Sequence, residues 1–242
     1  MRVHFSAQHP TFGTKHKPKS LSFQQRSPYY WWWAYLRLNQ AYLDCCANDG
    51  QGEMSNIYKD FGDVSSYDFK TWWDKRGVEL FAEKPLPQSL RALTNKSEWD
   101  SSWGDNVMVV AVPMNMSKRY IYSRFLYLIK KNHTTKRGRS KDAWTNSTAK
   151  YKINRNHTID NIRTAYSVYL DYLENKSRPK GEQLKLWEIG TKLRLVASAM
   201  PAKDDIYADN LVKRNVMAAS VNRYIKQAKQ IIDGVGRGIF PA

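Results

Sequence analysis

Asn222 and Arg223 are adjacent in this sequence, and Lys226 and Lys229 follow at helical spacing. An amide and a guanidinium can hydrogen-bond base edges, and ammonium groups can hold phosphates. Lys213 and Arg214 stand more than two helical turns earlier and add cations. A second basic group, Lys136, Arg137 and Arg139, lies in a block from Lys130 to Arg155 that only Asp142 opposes. Such a block repels itself unless an anion or solvent screens it. Both patterns point to phosphate contact.

Residues that could do covalent or metal chemistry are sparse. There is no Gly-x-x-x-x-Gly-Lys-Ser/Thr loop. The histidines are His4, His9, His16, His133 and His157, and none pairs with Cys, Asp or Glu at metal-ligand spacing. Cys45 and Cys46 are adjacent, so they cannot staple distant segments, and no helper histidine lies near Cys45 in sequence. Asp60 and Asp63 flank a turn, and Asp204, Asp205 and Asp209 share a loop. Turn chemistry and helix-end charge explain these acids better than the converging carboxylates of a two-metal nuclease. Gly234-Val235-Gly236-Arg237-Gly238 reads as a helix C-cap and flexible tail. No enzymatic activity, metal or cofactor is expected.

The whole-chain balance agrees with the basic groups. The 242 residues carry 39 Lys and Arg against 22 Asp and Glu, a formal charge of +17, and the pI is about 9.8. Such a surplus attracts polyanions, nucleic acid first and acidic protein surfaces second. Aromatics make up 13% with 9 Trp, which argues against a disordered chain. No apolar run approaches the roughly 20 residues of a membrane helix, and no secretory signal is expected. A reducing, intracellular setting is the default for this cysteine usage.

The elements that must position these residues can be read along the chain. Residues 1–26 are basic and without sustained period, and alone they should be disordered. They include Lys15, Lys17 and Lys19. Ser27-Pro28 predicts a helix start. The following Tyr29-Tyr30-Trp31-Trp32-Trp33-Ala34-Tyr35-Leu36 is apolar around most of its circumference, so Trp31 and Trp32 are candidates for a partner contact beyond the core. A helix is expected over Met54–Phe61, ended by Gly62. Ser65 and Asp68 have capping-box-like spacing ahead of Phe69, Trp72, Trp73 and Leu80. Residues 84–104 read as a linker. Val107-Met108-Val109-Val110-Ala111-Val112 reads as a strand. Ser117 caps a helix with Ile121, Phe125, Leu128 and Ile129 on one face, and the basic block after it reads as a loop.

The C-terminal third predicts three helices. Thr158 caps the first, whose apolar residues are Ile159, Ile162, Tyr166, Tyr169, Leu170 and Leu173, and Asn175, Pro179 and Gly181 break it. The second spans Gln183–Leu195. The third runs from about Asn210 to Ile232 and buries Val221, Ile225, Ala228 and Ile232. This pattern resembles a helix-turn-helix DNA-binding unit. Ile189-Gly190 and Leu193-x-Leu195 resemble its second helix, where a small residue admits close approach. Ala218-Ala219-Ser220-Val221-Asn222-Arg223-Tyr224-Ile225 resembles its recognition helix. The resemblance implies a helix laid in the major groove. Two features depart from it. Arg194 stands at a turn position often held by glycine, and the connection to the last helix exceeds the usual 3–4 residues.

Three further stretches carry a second resemblance. They are Ser27-Pro28-Tyr29-Tyr30-Trp31-Trp32-Trp33-Ala34-Tyr35-Leu36-Arg37-Leu38-Asn39, Phe61-Gly62-Asp63-Val64, and Asp68-Phe69-Lys70-Thr71-Trp72-Trp73 with Arg76-Gly77-Val78-Glu79-Leu80-Phe81-Ala82-Glu83. They are similar to uncharacterised proteins of proteobacterial prophages and other integrating elements. That resemblance implies a mobile-element origin and transfers no site residues.

The expected fold is mainly α with a small β element. An aromatic-rich N-terminal helical unit joins a C-terminal tri-helical, helix-turn-helix-like unit. The expected segments are a basic arm (1–26), the aromatic helical unit (27–104), a strand–helix–basic loop (105–157) and the C-terminal unit with tail (158–242). The expected function is non-enzymatic duplex DNA binding in a phage or mobile element, in the cytoplasm of a bacterial host. The alternative is a capsid-associated or scaffolding protein, particle-bound, whose arm lysines and aromatics meet an acidic shell. A homo-oligomer is compatible with either, and no membrane partner is expected.

Overall fold

The computed structural model describes residues 3–83, 95, 98, 108–132, 147–154 and 158–241. Its α-helices are α1 (Leu21–Gln24), α2 (Pro28–Leu36), α3 (Gln40–Ala47), α4 (Ser55–Phe61), α5 (Phe69–Trp72), α6 (Val78–Phe81), α7 (Lys118–Asn132), α8 (Ile159–Ser177), α9 (Leu186–Lys192) and α10 (Tyr207–Gly236). A π-turn, Trp73–Gly77, joins α5 to α6. The fold is mainly α. The small β element is a correction: Met108–Val112 is not a strand, and the described residues hold only isolated bridges, Phe5 to Ala82, Gly13 to Pro18 and Ile153 to Phe240. A β-branched run becomes a strand only when a neighbour completes its ladder, and no described segment does so. The chain divides into two units, Met1–Lys84 with Trp144–Ala242, and Pro85–Ala143.

In the larger unit, α2 is the central element. A helix that is apolar all round must be covered all round. Trp31 and Trp32, expected to offer a partner surface, are 2% and 0% exposed, so that expectation is overturned. The reason lies in distant segments. Trp32 packs on Phe61, Phe81 and Phe240, with ring centroids 5.1 to 5.9 Å away, and Trp31 meets Tyr166 at 5.5 Å. Burying each ring contributes about 2–3 kcal/mol before entropy is counted. Two of the polar ends on α2 are served, while the buried Trp32 and Trp33 Nε1 atoms have no hydrogen-bond partner among the described residues. Trp31 Nε1 donates to the Gln25 carbonyl at 2.8 Å, and the Tyr35 hydroxyl donates to the Ile162 carbonyl at 2.9 Å. That last bond ties α2 to α8 within one core.

The N-terminal stretch packs on this core too. The Phe5 ring lies 5.5 Å from Trp73, and Phe12 lies 5.8 Å from Phe69. The Glu83 N–H donates to the His4 carbonyl at 2.8 Å. Segments without periodicity order when their few large apolar residues find a prepared surface. Lys15, Lys17 and Lys19 are exposed around a tight turn in which Thr14 and Lys17 exchange backbone hydrogen bonds of 3.1 Å.

Helix boundaries follow local chemistry, with differences. Pro28 opens α2 and Gly62, at φ +66°, closes α4. Asp68, not Ser65, caps α5 by accepting the Thr71 N–H at 3.0 Å. Ser65 instead donates to Asp63. Gly234 and Gly236 were expected in a flexible tail, yet both are buried in the last turn of α10. A Cβ at Gly236 would lie 2.6 Å from Asn39 Nδ2, which itself donates to the Ile232 carbonyl at 3.0 Å.

The C-terminal helices α8, α9 and α10 pack against one another. Val168, Val221 and Ile225 centre their contact, with Leu186, Leu193 and Leu195 around them. On α8 the buried stripe is Ile162, Ala165 and Val168. Leu170 and Leu173, expected on that face, are 41% and 39% exposed. The stripe steps by three residues, so its facing side rotates away from them.

Candidate nucleic-acid interface

The α9–α10 junction positions the candidate residues. Gly190 in α9 lies so close to α10 that a Cβ there would be 2.4 Å from Met217 Cγ and 3.0 Å from Val221 Cγ2. A small residue is needed for the two helix backbones to approach. Beyond α9, Arg194 takes the left-handed conformation with φ +50°. Its N–H donates to the Thr191 carbonyl, and the Leu195 N–H donates to the Gly190 carbonyl, both at 3.1 Å. This is the Schellman closure usually built with glycine, so the arginine carries local strain. The connection then runs from Leu193 to Ile206 through a short 3-10 turn at Ala197–Ala199.

Helix α10 spans 30 residues, about 45 Å. Met217, Val221, Ile225, Ala228, Ile231 and Val235 are buried on one side. Asn222, Arg223, Lys226 and Lys229 are exposed on the other. The expected buried residue Ile232 is half-buried, and Ile231 takes the deepest place. Asn222, Ile225, Lys226, Lys229, Gln230 and Asp233 line a shallow open groove along this side. Asp233 is engaged by Arg237 at 2.7 Å, which offsets its charge. Among the described residues, Arg223, Lys226 and Lys229 form no ion pair.

The start of α10 has a different character. Lys213 Nζ lies 2.5 Å from Asp205 Oδ1, with side chains 23% and 9% exposed. The Lys213 hydrogen bond and the Ala202 N–H hold the Asp205 carboxyl below its ordinary range. Asp204 and Asp209 remain exposed beside it. Lys213 is therefore neutralised locally. The Arg214 guanidinium lies 4.5 Å from the Trp187 ring centroid, a cation–π contact that orients it. Neither partnership was legible in sequence, because Asp205 and Trp187 meet these cations only once the connection folds back. Lys136, Arg137 and Arg139 lie outside the described residues. Lys15, Lys17 and Lys19 belong to the N-terminal turn and Trp31 and Trp32 to the core, so the structure does not join them into one surface.

Asp60 and Asp63 have structural partners. Burial pushes the Asp60 carboxyl up, but hydrogen bonds from Lys150 and Tyr151, at 2.6 and 2.7 Å, outweigh it and hold it low. Asp63 is likewise raised by burial and lowered further by Ser65 and Ser66, to about 2. Burial pushes the Cys46 thiol up to about 11, which keeps it protonated at neutral pH. Among the described residues, no group of three or more His, Cys, Asp or Glu could hold a metal ion. Nor is any described helix long and apolar enough to cross a membrane.

Asn175, read from sequence as a helix breaker, is a buried clasp. Its Nδ2 donates to the Leu184 carbonyl at 2.9 Å, and its Oδ1 accepts the Leu184 N–H at 2.7 Å. It fixes the approach of the chain to α9, and hence the seat of α10.

Comparison of the chain with family models, curated proteins and solved structures finds no match.

Proposed function

We propose that this protein binds duplex DNA without enzymatic activity, through the solvent side of α10. The supporting observation is the pairing pattern. Asn222, Arg223, Lys226 and Lys229 are exposed above a buried apolar stripe, and the three cations have no acidic partner among the described residues. Cations unpaired with acids on a firm helix can displace condensed counterions, and an amide and a guanidinium, here Arg223 lying 5.2 Å from the Tyr224 ring centroid, can read base edges. Asp204 and Asp209 repel phosphate at the helix start. The middle of α10 therefore lies along the duplex, and the helix does not enter end-on. Arg214 adds a phosphate contact, Lys213 contributes little while Asp205 holds it, and Lys136, Arg137 and Arg139 extend the basic footprint in sequence. The setting is a phage or mobile element in a bacterial cytoplasm, in transcription control, replication or packaging.

Gel-shift titrations at several salt concentrations test this reading. With about six phosphates neutralised, affinity falls on the order of a thousandfold between 50 and 200 mM salt. Lys226→Glu with Lys229→Glu reduces affinity on every duplex, and Asn222→Ala relaxes sequence preference by about 1–3 kcal/mol. A salt-independent response, or affinity untouched by the charge reversals, overturns it.

A second reading, a capsid-associated or scaffolding assembly protein, retains one supporting observation: Lys15, Lys17 and Lys19 are exposed on a tight turn and suit an acidic protein surface. Reversing those three charges separates the readings, since it abolishes particle association under the second and leaves duplex affinity nearly unchanged under the first. Deleting the N-terminal stretch does not separate them, because Phe5 and Phe12 pack against the core.

A further inference from the structure

Helix α7 carries no acidic residue, and every Asp, Glu, Lys or Arg position from Lys118 to Lys141 is Lys or Arg. Its expected apolar face, Ile121, Phe125, Leu128 and Ile129, is half-buried. Besides Ser123, Leu126 (46% exposed) and Asn132, what it leaves to solvent is rings and cations. Tyr120, Tyr122 and Tyr127 are 46%, 66% and 56% exposed. Tyr120, Arg124, Tyr127 and Lys131 recur at steps of four, three and four residues, so they form one stripe along the helix. The Arg124 guanidinium lies 5.8 Å from the Tyr120 ring centroid, between the two tyrosines of the stripe.

We propose that this stripe is a second nucleic-acid site, a stacking platform for single-stranded DNA. Ring and cation alternate, with Tyr120 and Tyr127 about 10 Å apart along the axis. Unpaired bases present π-faces to such rings whatever their sequence, and Arg124 and Lys131 stand ready for the intervening phosphates. A duplex offers no free base face to a side-on tyrosine. A bilayer needs an open, continuous apolar face, whereas Ile121, Phe125, Leu128 and Ile129 are half-buried and the open stripe is interrupted by Arg124 and Lys131. The absence of acids along the helix excludes a basic partner by repulsion and favours a polyanion. The platform stands independently of α10; only the choice of DNA over RNA rests on the reading of α10.

The test uses the full chain and fluorescence anisotropy with a labelled oligothymidylate of about 20 nucleotides. Parallel arms carry oligouridylate, a duplex of the same length, and phosphatidylserine-containing vesicles. The expected result is oligothymidylate binding that weakens about tenfold or more with Tyr120→Ala and with Tyr127→Ala. Tyr120→Phe and Tyr127→Phe retain it, because the ring does the stacking. Duplex affinity does not change in these variants. Conversely, Lys226→Glu with Lys229→Glu weakens duplex binding and spares oligothymidylate, so failure of one site is distinguishable from failure of the other. The substituted positions, Tyr120 and Tyr127, are exposed, and far-ultraviolet circular dichroism verifies that the variants fold. Equal oligothymidylate affinity in the wild type and both alanine variants overturns the proposal. So does a preference for oligouridylate, or binding to vesicles without binding to oligothymidylate.

Discussion

Gly190 and Met217 are in direct apposition: a Cβ placed on Gly190 would lie 2.4 Å from Met217 Cγ and 2.8 Å from its sulfur. The α9–α10 crossing that presents the basic face therefore depends on a missing side chain. Gly190→Ala gains up to about 1 kcal/mol of helix propensity and loses more to overpacking. The Cγ2 of Val221, 3.0 Å from that Cβ, belongs to a stiff β-branched side chain that cannot swing away as a methionine can. The expected net loss is about 1–3 kcal/mol, read from urea denaturation midpoints at constant slope. Adding Met217→Ala to Gly190→Ala costs less than the two single changes summed. Strict additivity would show that the two residues do not touch.

Asn175 satisfies both backbone groups of Leu184, and it is 8% exposed. Asn175→Ala strands that N–H and carbonyl, with an expected loss of about 1–3 kcal/mol. Asn175→Asp keeps the acceptor and loses the donor, so it also destabilises. Native-state hydrogen exchange provides the local readout: the Leu184 amide loses protection in both variants, and it loses more in Asn175→Ala. An unchanged amide would remove the clasp from the account of how α9 is seated.

Glu83 ties Ser147 and Thr148 to the end of α6. Its carboxylate accepts the Ser147 hydroxyl at 2.6 Å, and the Thr148 N–H and hydroxyl at 2.6 and 2.8 Å. Burial raises this carboxyl, but the hydrogen bonds outweigh it, so it titrates below its ordinary value. A depressed folded pKa adds stability above the unfolded value, about 4.3, and that stability fades as pH falls through the folded value. Glu83→Gln is therefore expected to cost about 2 kcal/mol at pH 7. The gap to the wild type should narrow steadily below about pH 4. Denaturation series at both ends of that window measure it. A gap that is constant with pH would mean that the carboxylate charge is not what binds the segment.

Several features were legible locally. Pro28 and Gly62 bound their helices because ring closure and a left-handed φ act within one turn of chain. Gly190 was readable as a close approach, and the outward set Asn222, Arg223, Lys226 and Lys229 followed from the spacing of Val221, Ile225 and Ala228. Periodicity sorts one helix into faces, and that sorting needs no other segment.

What a face meets is another matter. Trp31 and Trp32 look like a surplus on α2 until Phe61, Phe81, Tyr166 and Phe240 arrive from elsewhere in the chain to enclose them. Lys213 reads as a free cation until the connection brings Asp205 to it, and Val107–Val112 reads as a strand, yet among the described residues Met108–Val112 has no pairing neighbour. Composition and period set which side chains are apolar or charged and how they recur. Tertiary structure alone decided which rings are enclosed and which cations are met by an acid, because burial and pairing are made by residues that only the fold brings together.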